Sequence, residues 1–131
     1  MDLADGLAAM DRTDEALCTI ERALAQIRAE GERWCLAELL RLKGELLLRK
    51  PSHGTVAAAA CFARALDVAR KQGAMFWELR AAASLARLRV VQDRPIAARQ
   101  VLAPVYARFT EGHTAADLLS ASSILADLPT S

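Results

Sequence analysis

Few residues in this chain are of a type and spacing that can do chemistry. The three thiols, Cys18, Cys35 and Cys61, are far apart, and no C-x-x-C pair exists, so neither a zinc site nor a disulfide framework is implied. His53 lies in a Pro/Ser/His/Gly turn and His113 directly follows a glycine. Neither has a Cys, Asp or Glu at ligand spacing, which leaves surface or capping roles. Ser120, Ser122 and Ser123 have no G-x-S-x-G context and no paired histidine, and read as the exposed face of a last helix. No G-x-x-x-x-G-K-[ST] loop is present to cradle a phosphate. The residues therefore point to no catalytic, cofactor or metal site, and the thiols read as core fillers.

What remains is a polar stripe with recognition chemistry. Glu38, Arg41, Glu45 and Arg49 recur at +3, +7 and +11 on one helix, and Arg80, Ser84 and Arg87 recur on a later one. Arginine forks bind carboxylates bidentately, so such a face can grip a peptide or a neighbouring domain. The competing reading is internal pairing: a 42-residue offset sets Glu38 beside Arg80 and Glu45 beside Arg87, and a 40-residue offset sets Arg87 beside Asp127. Trp34, Phe76 and Trp77 sit where leading helices begin, and are read as packing against the preceding helix.

These side chains must be carried by helices. The chain has 131 residues, is 53% hydrophobic and 25% charged, and is rich in alanine with few β-branched residues, so an all-α single domain is expected. The first segment, 3–9, looks like the last turns of a helix, followed by a turn at Asp11–Thr13. Asp14 and Glu15 then open a helix with the apolar face Ala16, Ile20, Ala23, Leu24 and Ile27, ended by Gly31. A helix from about Glu32 to Arg49 buries Leu36, Leu39, Leu40, Leu46 and Leu47. Thr55 can cap the next one, whose stripe is Ala58, Cys61, Phe62, Ala65, Leu66 and Ala69, with Asp67 and Lys71 at a favourable i, i+4 spacing. Residues 75–91 form a helix with a weak, alanine-rich face. Asp93 and Pro95 start another, with the stripe Ala98, Val101, Leu102, Val105, Tyr106 and Phe109, and with Pro104 inside it. A kink near Gln100–Pro104 with the proline toward solvent is expected. Thr114 and Asp117 resemble a capping box for a last helix over 115–128, which buries Leu118, Ala121, Leu125 and Leu128.

The elements repeat. Gly31, Gly73 and Gly112 are spaced 42 and 39 apart, and Ala16, Ala58 and Ala98 are spaced 42 and 40. Ile20, Phe62 and Leu102 keep that second spacing. Agreement among independent landmarks indicates stacked helix hairpins, each burying its face against its neighbours. The repeat units are about 1–31, 32–73 and 74–112, with a capping helix at 114–128, or about seven helices in all. The central unit Gly31–Gly73 has the most apolar leading helix and is expected to be the stability centre. A first hairpin without the front of its leading helix suggests a fragment of a longer chain. It would leave Ala16, Ile20 and Leu24 under-covered and open to a second copy.

The small–x3–large–x2–small pattern Ala58, Phe62, Ala65, with Gly44 fourteen residues before Ala58, resembles a tetratricopeptide repeat (TPR). The period departs from the usual one, being nearer 40 than about 34, and the usual helix-ending proline is absent. The phrases GERWCLAELLRLKGELLL, ACFARALDVARKQGAMFWELRAAASLARL and LLSASSILADL are similar to the C-terminal TPR-like region of large bacterial regulators. VLAPVYARFTEGHTAADL is similar to that family's closing hairpin. Those proteins join an adenylate/guanylate cyclase or DNA-binding domain to an AAA-type ATPase. The resemblance implies a superhelical array of antiparallel helix pairs serving as a non-enzymatic protein–protein interaction module in signalling or transcription. Its partner is expected to be a peptide, another domain of the parent chain or a second copy. A small-ligand sensor or a pure self-association element are the alternatives. A net charge of +1 gives no general attraction to nucleic acid. No apolar run approaches a membrane span, and the acidic start is not a signal peptide, so a cytoplasmic setting is expected.

Overall fold

The computed structural model describes residues 3–30, 35–49, 54–109 and 115–128. Six helices are present among them: α1 (Leu3–Glu30), α2 (Leu36–Leu48), α3 (Gly54–Gln72), α4 (Met75–Val91), α5 (Pro95–Ala107) and α6 (Ala116–Ala126). No strand occurs among the described residues. The all-α expectation therefore holds, with one helix fewer than expected. The turn proposed at Asp11–Thr13 does not form, and α1 runs through it without a break. Asp, Arg and Thr carry only a small helix penalty each, and a run without Gly or Pro at that point has no strong stop signal.

Consecutive helices pack against one another from α1 to α6. In addition α2 packs on α4 and α4 on α6, whereas α3 and α5 make no comparable approach. The result is one layer of α2, α4 and α6, with α3 and α5 outside it. Glu38 pairs with Arg80 and Glu45 with Ser84, so α2 and α4 run in the same direction, as alternate members of antiparallel pairs must.

Two helix ends are closed by the same device. The Ala74 N–H donates to the Ala69 carbonyl at 2.9 Å and the Gly73 N–H to Arg70 at 3.2 Å, with Gly73 at φ 69°. At the end of α4 the Arg94 N–H donates to Arg89 at 2.8 Å and the Asp93 N–H to Val90 at 3.0 Å, with Asp93 at φ 61°. Both are Schellman closures, and the second uses an aspartate where glycine would be unstrained. Asp93 thus ends α4 rather than starting α5, and Pro95 is the first residue of α5. Gly31, Gly112 and the Thr114 half of the suggested capping box lie outside the described residues, as do Trp34, His53 and His113. Thr55 sits inside α3, one residue past its start, and is exposed.

The core runs the length of the array. Leu24, Leu36, Leu40, Ala65, Leu66, Leu79, Ala82, Ala86, Ala98, Leu102, Leu118 and Ala121 belong to one buried cluster, and Ala58, Phe62, Leu85 and Leu88 to a second. The stripe read for α3 is buried except at Cys61, which is half-buried. Cys35 is half-buried too, and Cys18 is exposed on α1, so that thiol is not a core filler. Leu24 is only 3% exposed, against the expectation of an under-covered face. Ala16 and Ile20 remain half-buried, while Leu17 and Thr13 are buried on α1 in addition.

The largest departure concerns α4. Its face is not weak: Glu78, Leu79, every residue from Ala81 to Ala86, and Leu88 are buried. A helix touched by α2, α3, α5 and α6 has almost no solvent side. Alanine and serine suit that position, because small side chains let four neighbours approach. Gly44 shows the same economy of space on α2. A Cβ there would meet the Phe62 ring at 2.5 Å, so the ring occupies the volume that any other residue would need. Pro104 is exposed within α5, as its position on the outer stripe requires.

Candidate functional site: a polar face on α2, α4 and α6

Six of the seven residues expected to form the interaction stripe converge, together with one the stripe omitted. Glu38 and Arg41, one turn apart on α2, make a bidentate pair, Nε–Oε2 3.1 Å and Nη2–Oε1 2.6 Å. Across the interface, Arg80 Nη1 donates to the same Glu38 Oε1 at 3.0 Å, the pairing that the 42-residue offset anticipates. Arg80 Nε donates to Asp117 Oδ2 at 3.0 Å, tying α4 to the first turn of α6. Ser84 Oγ donates to Glu45 Oε1 at 2.8 Å, and Arg41 stands 3.8 Å from the same carboxylate. The side chains thus link three helices in one network.

Two expected pairings are not made. Glu45 does not meet Arg87: it meets buried Ser84, one turn earlier on α4, which donates to its Oε1. Asp127 does not meet Arg87 either. It lies exposed at the end of α6, and the acidic residue that α6 contributes is Asp117 instead. Arg87 makes no ion pair or hydrogen bond among the described residues, and Arg49 is exposed at the end of α2, away from the network. Sequence spacing missed Asp117 because it was assigned to a cap. Its place in the first turn of α6, where a carboxylate suits the helix dipole, is also the place nearest Arg80.

Arg41, Arg80 and Arg87 line an open cavity of about 200 Å³ with Ala83, Asp117 and Ser120. Glu38 and Glu45 lie outside this lining but contact its arginines, so with Asp117 they offset the three guanidinium charges of the network. The hydrogen bond to Glu38 raises the Arg41 pKa further, against the opposing effect of burial, so this guanidinium is charged at any working pH. Arg80 uses two of its five N–H donors in the bonds to Glu38 and Asp117. The cavity therefore offers hydrogen-bond donors in excess of acceptors.

A second charged cluster, absent from the sequence reading, lies on the other edge of α4. Glu78 is 2% exposed and accepts from Arg70 Nε at 3.1 Å and from Arg108 Nη1 at 2.8 and 3.0 Å. The two arginines are half-exposed. The triad joins the end of α3, the start of α4 and the end of α5. Beside it Phe76, 47% exposed, meets Phe109 edge-on with ring centroids 5.1 Å apart. Phe76 thus reaches the residue two past the end of α5, Phe109. Trp77 is half-buried.

Among the described residues no group of His, Cys, Asp and Glu is arranged to hold a metal ion, and no buried side-chain nitrogen or oxygen lacks a partner. No described helix is long and apolar enough to cross a membrane. Ser120, Ser122 and Ser123 are exposed on α6, and only Ser120 borders the cavity. No protein-family model matches the chain. Neither the curated proteins nor the solved structures compared with it give a match.

Proposed function

We propose that this chain is a non-catalytic interaction module, a TPR-like helical array that docks a peptide or a neighbouring domain on the face built by α2, α4 and α6. The observation that carries the reading is the arginine-lined cavity on that face, in which Arg87 has no ion-pair or hydrogen-bond partner among the described residues and Arg80 keeps unused donors. The contacts of α2 with α4 and of α4 with α6, with α3 and α5 outside, suit the inner layer of such an array. The close approach of Gly44 to Phe62 suits the small and large positions of the repeat. The phrase-level similarity to bacterial multidomain regulators supports a role in cytoplasmic signalling or transcription, coupled to a cyclase or ATPase elsewhere in a parent protein.

A small-ligand sensor is the weaker reading. Metabolite pockets usually enclose roughly 300–1,000 Å³, and this cavity offers about 200 Å³ and is open. Self-association through α1 is weaker as well, since Leu24 is already covered. The test is retention of a partner from lysate of the source cells on immobilised protein, comparing wild type with Arg87→Glu and with Arg80→Glu/Arg87→Glu, each checked for an unchanged helical circular-dichroism spectrum. A partner held by wild type and released by both variants is expected. Equal retention by all three removes the docking role from this face.

A further inference from the structure

The start of α4 carries a second surface, away from the inner face, that the packed helices leave open. We propose that this surface docks an acidic segment of a protein partner, which seats one aliphatic or aromatic side chain against Phe76 and sets its carboxylates on Arg70 and Arg108. The proposal goes beyond the inner-face reading and uses none of its residues.

The apolar half comes first. Ala74, Met75, Phe76 and Trp77 line an open hollow of about 280 Å³. Met75 and Phe76 are exposed, whereas Leu79, Leu85 and Leu88 further along the same helix are buried. The edge-on contact with Phe109 holds the Phe76 ring in place while leaving about half of it open. A ring already ordered in the free protein loses little freedom when it is covered. Methionine adapts its shape to what it meets. Binding energy concentrates on aromatic and arginine side chains, and this surface sets both side by side.

Charge decides what covers it. Buried Glu78 takes Nε of Arg70 and Nη1 of Arg108, and both arginines stay half-exposed. Two guanidinium groups and one carboxylate leave one positive charge, carried on N–H donors that meet no other acceptor among the described residues. Lys71 does not add to it, being paired with Asp67. A second copy on the same surface would set four arginines against two carboxylates already in use, so like charge opposes self-pairing. An anionic membrane attracts clusters of several unpaired cations, and one net charge is too few. A segment with carboxylates on either side of an apolar side chain matches both halves, the apolar group on Phe76 and the acids on the outer donors of the two arginines.

The test is fluorescence anisotropy of a labelled, end-blocked peptide, Glu-Glu-Leu-Phe-Glu-Glu, on the whole chain. Glu-Glu-Ala-Ala-Glu-Glu removes the anchor and Gln-Gln-Leu-Phe-Gln-Gln removes the charge. The first peptide is expected to bind, and each of the others to bind about tenfold more weakly, or ~1.4 kcal/mol. Phe76→Ala should weaken the first peptide about tenfold, and Arg108→Gln severalfold. Arg70→Gln, which leaves Glu78 its contacts with Arg108, is the second charge variant and should act in the same direction. Arg87→Gln removes the same charge from the inner face, and Val91→Ala trims an exposed side chain at the opposite end of α4. Neither should change the affinity. An unchanged helical circular-dichroism spectrum checks every variant.

No binding of the first peptide to wild type would overturn the proposal. So would equal binding of the three peptides, or an affinity indifferent to Phe76→Ala. Equal weakening by Arg87→Gln and by the two triad variants would reduce the effect to net charge and overturn it too. A wild-type dimer in sedimentation that Phe76→Ala dissolves would give the surface to a second copy. Phe76-dependent binding to phosphatidylserine vesicles would give it to a membrane, and either result overturns the proposal. None of these outcomes touches the inner-face reading, which stands or falls on the Arg87→Glu and Arg80→Glu/Arg87→Glu variants.

Discussion

Gly44 and Phe62 set the tolerance of the array at single-residue scale. An alanine at 44 would gain about 1 kcal/mol of helix propensity, but its Cβ would stand 2.5 Å from a ring that is fully buried. Overpacking of that kind costs about 1–3 kcal/mol, so after the propensity gain Gly44→Ala should lower stability in urea denaturation by up to about 2 kcal/mol. In a Phe62→Leu background the ring is gone, and the same substitution should become neutral or stabilising. Additive losses in the double variant would show that the contact does not limit position 44. Cys61 gives a second residue-scale expectation. Burial raises its thiol pKa first, with Lys43 pulling the other way. Below the ordinary thiol range both folded and unfolded chains keep the proton, and Cys61 adds no pH dependence. Above it the unfolded thiol ionises first, the unfolded chain binds fewer protons, and stability falls as pH rises. Cys61→Ala should therefore flatten the alkaline decline of the urea midpoint, and Cys61 should react with iodoacetamide at a more alkaline pH than a small free thiol.

Helix ends show how neighbouring elements are joined. Arg99 of α5 donates Nη2 to the carbonyls of Leu125 and Leu128, at 2.9 and 3.1 Å, and so satisfies acceptors that the end of α6 leaves open. Lys43 of α2 reaches Glu21 of α1 at 2.5 Å, and Lys71 pairs with Asp67 at 3.0 Å on the outside of α3, the i, i+4 pair that spacing anticipates. Such exposed pairs contribute only about 0–1 kcal/mol each. Glu78 differs, because its carboxylate is buried and its two arginines reach it from α3 and α5. Glu78→Gln should cost about 1–3 kcal/mol, the range for a charge-assisted hydrogen bond. The freed arginines are half-exposed and can be rehydrated, which keeps the loss below that of stranding a buried charge. Urea denaturation checks the magnitude. A Glu78→Gln variant as stable as wild type would show that the triad fixes geometry without stabilising it.

At the scale of the whole molecule α4 is the centre of the fold. It is the helix that touches four others, and its middle is buried on all sides. Its amides should exchange most slowly in native-state hydrogen exchange, close to the global unfolding limit, with α6 and the exposed turns of α1 opening earlier. Equal protection of α2 and α3 with faster exchange in α4 would return the stability centre to the 31–73 unit. The same centrality explains the candidate site, since α4 supplies Arg80, Ser84 and Arg87 while α2 and α6 supply the acids that hold two of them.

Much of this was legible in the order of residues. Period-3.6 apolar stripes and alanine content determined the all-α class, because a helix face must be buried whatever it packs against. The stripe Ala58, Phe62, Ala65, Leu66 and Ala69 was readable, as were the closing glycine at 73 and the pairing of Glu38 with Arg80, since each follows from periodicity or from the offset between repeats. The continuity of α1 through Asp11–Thr13 was not, because local propensities there are nearly balanced. Nor was the burial of α4, whose alanines look like a weak face in isolation and become the contact surface once four neighbours converge. Tertiary structure alone decided which acid meets which arginine. A slip of a few residues between neighbouring helices gave Glu45 to Ser84 and Asp117 to Arg80. Side-chain reach is only a few ångströms, so that slip, invisible to any count along the chain, is what leaves Arg87 without a partner among the described residues.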